Sequence, residues 1–592
     1  MTRPHQLARA DFDSLATGGG GPNAIRHLVT TNRSKHLALL RAVLDSAEAR
    51  PDSHGPLAPP GAAWDLLAAA QRDRPEVVER LLRHPVVAVW AVHALRRLHR
   101  ATTDPAPLWV ALGYLHCVAA AAAVLAGLRF SLDVPVADGA VVLPTVGLAR
   151  VPHVRERWAV ATAGGGPGRL RVRGPTGTVR VDGDLTADAD GWWAAHRLRG
   201  PAADLLLDDL DPFRGFTGRL PPSRLSEDEL ARWQTGLTET WTLLTEHHAE
   251  TAAALATGLT VLVPRPPAGP FQPYSASAED AFGCVALSLP PTAVDFAATF
   301  VHEFQHSKLC ALLDLVELHR DDGSDSRFYA PWRDDPRPLG GLLQGTYSFV
   351  GVAGFWRAQR RVDDTPLAHF EFAHWREQTR RAARTLRNAP ALTSLGRRFV
   401  AGMSEQLAAW CAEPVPADVL STARLAAADH HATWRLRHLR PDREHVAALA
   451  TAWLAERARP LLPEPQPTMI PATEAPDDPT PRTTLVRASL ADPDRFAAMT
   501  ADPRTVPGTT EADLALVTGD PRSAADGYLD LVRDRPDHAC AWTGLGHALH
   551  AQPAGAALLH RPELVRAVHR EVQLRCGSAP DPVRLAAWIG VT

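Results

Sequence analysis

The sequence predicts an α+β protein in which helices predominate. Apolar residues recur at helical spacing through 34–49, 108–128 and 292–319, while short alternating runs joined by Gly and Pro turns fill 131–220. Eight prolines lie in the 22 residues from Pro460 to Pro481, so a last helical segment is set apart from the rest. The expected organisation is a helical N-terminal region at 1–130, a β-rich section at 131–220 and a catalytic region at 221–459. A proline-rich linker at 460–482 and a helical, repeat-like region at 483–592 complete it.

With 592 residues, 45% of them hydrophobic and 22% charged, the chain has the composition of an ordinary folded protein with several cores. A net charge of −3 gives no bulk attraction to nucleic acid or to an anionic membrane, and neither is expected as a partner. Cys117, Cys284, Cys310, Cys411, Cys540 and Cys576 form no CxxC pair, which speaks against a zinc ribbon and a disulfide framework and for a reducing compartment. The first residues carry no apolar targeting core, and the longest apolar run, 117–128, is too short to span a bilayer. The expected location is cytoplasmic.

In chain order, SKHLALLRAVLDSAEA at 34–49 and LWVALGYLHCVAAAAAVLAGL at 108–128 read as helices, with His116 a packed core histidine. GGGPG at 164–168 reads as a turn, because no Lys-Ser/Thr follows it. LLLDDLDPF reads as a strand end running into a solvated loop that carries Asp208, Asp209 and Asp211. A helix over 227–255 leads to TVLVPR and CVALSL, two strands, the second a candidate for pairing an extended peptide.

Thr292 with Asp295 forms a helix start, and Phe296, Phe300, Val301, Phe304 and Leu309 follow at helical spacing, so His302-Glu303-Phe304-Gln305-His306 lies on a helix. At about 100° per residue, His302 and His306 share one face and can bind one metal ion. In a zinc hydrolase Glu303 would be the base acting on a metal-bound water. A strand followed by such a helix is a zincin-like order and points to a polypeptide substrate. The third ligand is open. The metzincin pattern fails, with Leu309 where Gly is needed and Leu312 where His is needed. Glu317 is roughly 16 Å further along a helix axis, too far to join the same ion. Gln344, Glu371 and His374 are more distant candidates.

Downstream, FYAPWRDDPRPLGGLLQGTY sets Arg333 and Arg337 in a proline-stiffened, aromatic-flanked loop suited to holding a carboxylate, against the plainer reading of a salt-bridged surface loop. Taken together, VHEFQHSKLCALLDL, YAPWRDDPRPLGGLLQGTYSF, SKHLALLRAV, DDLDPFRGF and FGCVALSLP resemble the HExxH-motif peptide-modification family. Its members occur alone or as the metallohydrolase-like extension of radical-SAM peptide-maturation proteins. The resemblance implies an iron(II)- and 2-oxoglutarate-dependent β-hydroxylase acting on a ribosomally made precursor peptide, in company with other maturation enzymes. It places metal ligands at His302 and His306 and a third at Gln344, where several relatives carry His. Arg333 or Arg337 would then hold the cosubstrate carboxylate, and Glu303 need not be a base. The alternatives are a zinc peptidase trimming such a peptide, or a peptide-binding module without turnover.

Helical pattern resumes at 367–389 and 395–412. Glu371 and His374 read as part of a solvated helix face, and His430, His431 and His438 as capping or surface residues. DLALVTGDPRSAADGYLDLVRDRPDHACAWTGLGHALH resembles a tetratricopeptide unit, with Ala524, Tyr528, Pro536 and Trp542 in the familiar places. A single unit cannot bury its own face, so it is expected to dock on the body or to bind a partner or leader peptide.

Overall fold

Helices open the chain wherever proline sets the first turn. Pro22–Glu48, Pro60–Asp73, Pro75–Leu82 and Pro85–Leu98 each begin on a residue whose missing N–H costs a helix nothing at that position. The structure, a computed structural model, describes residues 5–102, 104–154, 156–200, 204–216, 218–269, 273–321, 323, 325–460, 465–470, 480–502 and 505–590. It is α+β with helices predominating. Two compact units are present, one formed by Met1–Leu15 with Gly19–Glu317 and the other by Ala16–Gly18 with Leu318–Thr592. The division thus falls inside the segment 221–459, just after the motif helix.

In the first unit the apolar stretch from residue 108 is two helices, Leu108–Leu112 and Tyr114–Ala126, broken at Gly113. A Cβ on Gly113 would lie 2.8 Å from the Trp109 carbonyl oxygen, a fixed backbone atom, as well as 2.5 Å from Leu57 Cδ1, so the close approach favours glycine. Among the described residues Leu108–Ala126 is long and apolar enough to cross a membrane, which revises the reading from the shorter run 117–128; 78% of it is buried inside the protein, as in a core helix. His116 is buried there with Nδ1 2.8 Å from the Asp133 carbonyl, the packed histidine expected.

Two sheets follow. Strands β1 (Phe130–Ala137), β2 (Ala140–Leu143), β3 (Gly147–Arg150), β4 (Trp158–Gly166), β5 (Arg169–Arg173), β6 (Thr178–Asp182) and β7 (Trp192–Ala194) form an antiparallel sheet in the order β6-β5-β4-β1-β2-β3-β7. The expected turn at 164–168 is confined to Pro167 and Gly168, while Gly164, Gly165 and Gly166 belong to β4: a Cβ on Gly165 would lie 2.2 Å from the Arg169 carbonyl oxygen of the neighbouring strand. The second sheet contains β8 (His196–Arg199), β9 (Asp204–Leu207), β10 (Val261–Pro264), β11 (Ser275–Ala276) and β12 (Cys284–Leu287) in the order β11-β12-β10-β9-β8. Its centre is parallel, β9 with β10 and β10 with β12, and its edges are antiparallel.

The loop after β9 is not solvated. Asp208, Asp209 and Asp211 are all buried, their carboxylates satisfied by backbone amides and, for Asp211, by a hydroxyl as well. Asp208 accepts the amides of Leu210 and Asp211, Asp211 accepts that of Phe213 and the Tyr114 hydroxyl, and Asp209 accepts the Leu225 amide at 2.9 Å. Burial raises Asp209 to about 6, with the Leu225 amide and Arg224 opposing it.

The expected helix at 227–255 is two, Glu227–His247 and Ala249–Gly258, with His248 outside helical geometry between them. The motif helix Ala293–Leu313 starts where predicted, Thr292 Oγ1 accepting the Asp295 amide at 3.1 Å. Phe296 and Phe300 pack on Trp233 and Trp241 of the helix Glu227–His247, and Phe304 fills the place that a Cβ on Gly258 would take.

In the second unit the helices Leu339–Gln359, Pro366–Arg387, Ser394–Cys411 and Ala417–His438 are followed by a series from Arg482 to Ile589. Repeat residues Ala524, Tyr528 and Trp542 share one core with Leu436, Val446 and Leu449, so the repeat docks on the preceding helices of its own unit. The expected linker at 460–482 is partly built in: Thr468–Met469 pairs antiparallel with Leu439–Arg440, and Arg482 is almost fully buried. Residues 461–464 and 471–479 of that linker lie outside the described residues.

Candidate metal centre

The helix that buries Phe296, Phe300 and Phe304 turns a different stripe outward, and His302 and His306 fall on it. They are less buried than Val301, Glu303, Phe304 and Gln305 around them. Their ring centroids are 4.9 Å apart at an interplanar angle of 75°, an arrangement that two cis ligands of one ion can adopt. Desolvation, aided slightly by His306 and opposed by the Glu303 carboxylate, lowers His302 to about 4, so its imidazole is neutral at physiological pH as ligation requires. The residues present therefore fit two positions of a metal's coordination sphere. Among the described residues no group of three or more His, Cys, Asp and Glu side chains is placed to hold an ion. The helix ends at Leu313, so Glu317 is beyond it and not on its face.

Glu303 is almost fully buried and is held by two serines. Ser275 Oγ donates to Oε1 at 2.7 Å and Ser277 Oγ donates to Oε2 at 2.7 Å, while His302 Nε2 lies 4.0 Å from Oε1. Ser275 opens edge strand β11 and Ser277 directly follows it, and their hydrogen bonds bring both hydroxyls to the one carboxylate. Sequence reading missed them. The signal was a Ser-x-Ser spacing about one strand upstream of the motif, which has meaning only once β11 is seen to pair with β12.

That pairing also corrects the expectation for CVALSL. β12 is flanked by β10 and β11 and is not an edge open to a substrate strand; the edges of this sheet are β11 and β8.

The other candidate residues belong to the second unit. Gln344 is half-buried on the helix Leu339–Gln359. Arg333 and Arg337 grip one carboxylate within their own loop, Arg333 Nε donating to Asp335 Oδ1 at 2.6 Å and Arg337 Nη1 to Oδ2 at 3.1 Å. Burial alone would raise Asp335; the two guanidiniums outweigh it and hold the carboxyl below its ordinary value. The loop is closed by paired backbone bonds between Phe328 and Arg337. Trp332 anchors it, stacked on Phe349 at 4.9 Å, with Phe349 in turn stacked on Trp375 at 4.1 Å. Gly345 is required for this, since a Cβ there would meet the Trp332 ring at 2.3 Å.

Three expectations fail here, two by burial and one by the partners the side chains take. Glu371 is buried, not solvated: it accepts Trp375 Nε1 at 2.7 Å and pairs with Arg487. His374 is buried with its ring stacked on Phe370 at 5.5 Å, and desolvation holds it well below the ordinary histidine value. His430 and His438 are neither caps nor surface residues but hold the aromatic loop, His430 sharing a 2.7 Å hydrogen bond with the Tyr329 hydroxyl and His438 Nε2 donating to the Asp334 carbonyl at 2.6 Å. His431 packs its ring on Tyr329 as well.

Fold and motif together define an α+β chain with a paired-histidine helix. No protein-family model matches it, and no curated protein matches it.

Proposed function

We propose that this chain is an iron(II)- and 2-oxoglutarate-dependent hydroxylase of a ribosomally made peptide, with His302 and His306 as two of its metal ligands and a zincin-like arrangement of β12 and the motif helix. When bound, iron(II) supplies oxygen activation: dioxygen and 2-oxoglutarate are consumed, succinate and carbon dioxide leave, and one oxygen atom enters a C–H bond of the peptide. The chain's own part is to present two imidazoles on one face of a rigid helix.

The observation that favours this over a zinc peptidase is the engagement of Glu303. A peptidase base needs a carboxylate oxygen available to water, whereas both oxygens of Glu303 accept serine hydroxyls and tie β11 to the motif helix. The occupied flank of β12 supports the same choice. A 2-oxoglutarate carboxylate would compete with Asp335 for Arg333 and Arg337, which already fork around one carboxylate.

Glu303→Gln tests the reading. Turnover within about tenfold of wild type is expected, because a positioning residue and not a general base has been changed. A loss of roughly 10²–10⁴-fold with metal content unchanged would instead identify Glu303 as the base of a hydrolase.

A further inference from the structure

The first unit contains a cavity of about 680 Å³ that the metal-centre reading does not use. This is within the usual range of small-molecule pockets, about 300–1,000 Å³. Its walls come from the helices carrying His93 and Tyr114, from β1 to β4, and from Leu210, Pro212 and residues 218–222.

The charges on its walls do not cancel. Asp104 is satisfied from one side by Arg97, at 3.6 Å, and by His93 Nε2 at 3.1 Å. Asp138 pairs with Arg157 at 3.4 Å. Arg150 stacks over Trp193 at 4.7 Å, on the exposed side of its strand. That leaves Arg219. Its guanidinium lies 5.6 Å from the Trp158 ring centroid and 5.5 Å from that of Phe213, and among the described residues no carboxylate comes within ion-pair distance of it. Burial draws it below the ordinary arginine value, against the pull of Asp104 and Asp211. A planar cation of fixed charge, framed by two ring faces and turned to a cavity, lacks the anion that would repay its desolvation.

We infer that this cavity is a binding site for a small monoanionic carboxylate with a flat apolar body, its carboxylate on the Arg219 fork and its body against Trp158 and the apolar wall of Pro135, Val142 and Leu148. A single guanidinium fork framed by aromatic rings suits a carboxylate better than a phosphate dianion, which calls for several donors. The inference stands independently of the metal centre.

Titration calorimetry on the full chain tests it, with naphthalene-2-carboxylate and the uncharged naphthalene-2-carboxamide as probes. The acid is expected to bind with a Kd at least about tenfold below that of the amide, the amount a charge-assisted bidentate pair supplies. Arg219→Gln should erase that preference, and Arg219→Lys should keep only part of it, since an ammonium has no fork. Circular dichroism establishes that each variant folds; should Arg219→Gln not fold, the acid-to-amide ratio on wild type and Arg219→Lys decides. Equal affinity for acid and amide, no saturable binding of either, or a preference that survives in Arg219→Gln would overturn the proposal.

Discussion

Arg482→Ala is expected to destabilise the second unit by about 3–5 kcal/mol, the cost of leaving a buried charge uncompensated. Arg482 is 2% exposed and donates to both oxygens of Asp429, at 2.8 and 2.6 Å, to Asp513 at 3.0 Å, to the Cys540 carbonyl at 2.9 Å and to Thr543 Oγ1 at 2.7 Å. Tyr528 closes the network by donating to Asp513 at 2.6 Å. Removing the guanidinium strands Asp429, which is 1% exposed. Burial alone would raise the Asp429 carboxyl; Arg482 outweighs burial and holds it below its ordinary value. A depressed folded-state value stabilises the fold above the unfolded aspartate value of about 3.9 and loses that contribution as pH falls through the folded value. Urea denaturation of wild type and variant at pH 7 measures the loss, and Arg482→Met with Asp429→Asn should recover most of it. A change under about 1 kcal/mol in Arg482→Ala would show that the network is not the anchor it is taken to be.

The double substitution His302→Ala, His306→Ala is expected to take bound metal from one ion per chain to none. On the proposed reading each imidazole supplies one ligand; the ring centroids are 4.9 Å apart, and among the described residues no cluster of three His, Cys, Asp or Glu side chains stands ready to replace them. The fold should change little. His302 keeps 24% of its side chain exposed, and the aromatic face that secures the helix, Phe296, Phe300 and Phe304, is untouched, so a cost within about 1 kcal/mol is expected. Elemental analysis after anaerobic loading, with a thermal melt as the control for folding, measures both outcomes together.

What could be read from the sequence was local. The Thr292 cap, the motif helix and the strands β10 and β12 depend on neighbours a few residues away, and each was found in place. What escaped depends on partners far along the chain. Glu371 sits among arginines and reads as a solvated position, yet Arg487, 116 residues on, pairs with it. Arg482 looks like the end of a proline-rich linker until Asp429, 53 residues back, is brought against it. Ser275 and Ser277 gain their role only by reaching Glu303, 28 and 26 residues away. Asp208 and Asp211 were misread partly for a different reason: they accept backbone amides of their own turn, and a side chain that caps its own backbone can be buried while the composition around it still looks like loop.

The proposed oxygenase function is tested most directly by the mass of a candidate ribosomal precursor peptide after incubation with the protein. The account predicts that iron(II)-loaded protein with 2-oxoglutarate and air yields succinate and a peptide heavier by one oxygen atom, and that withholding either dioxygen or 2-oxoglutarate stops both. Peptide fragments formed by zinc-loaded protein without dioxygen, with no heavier peptide from the iron form, would contradict it.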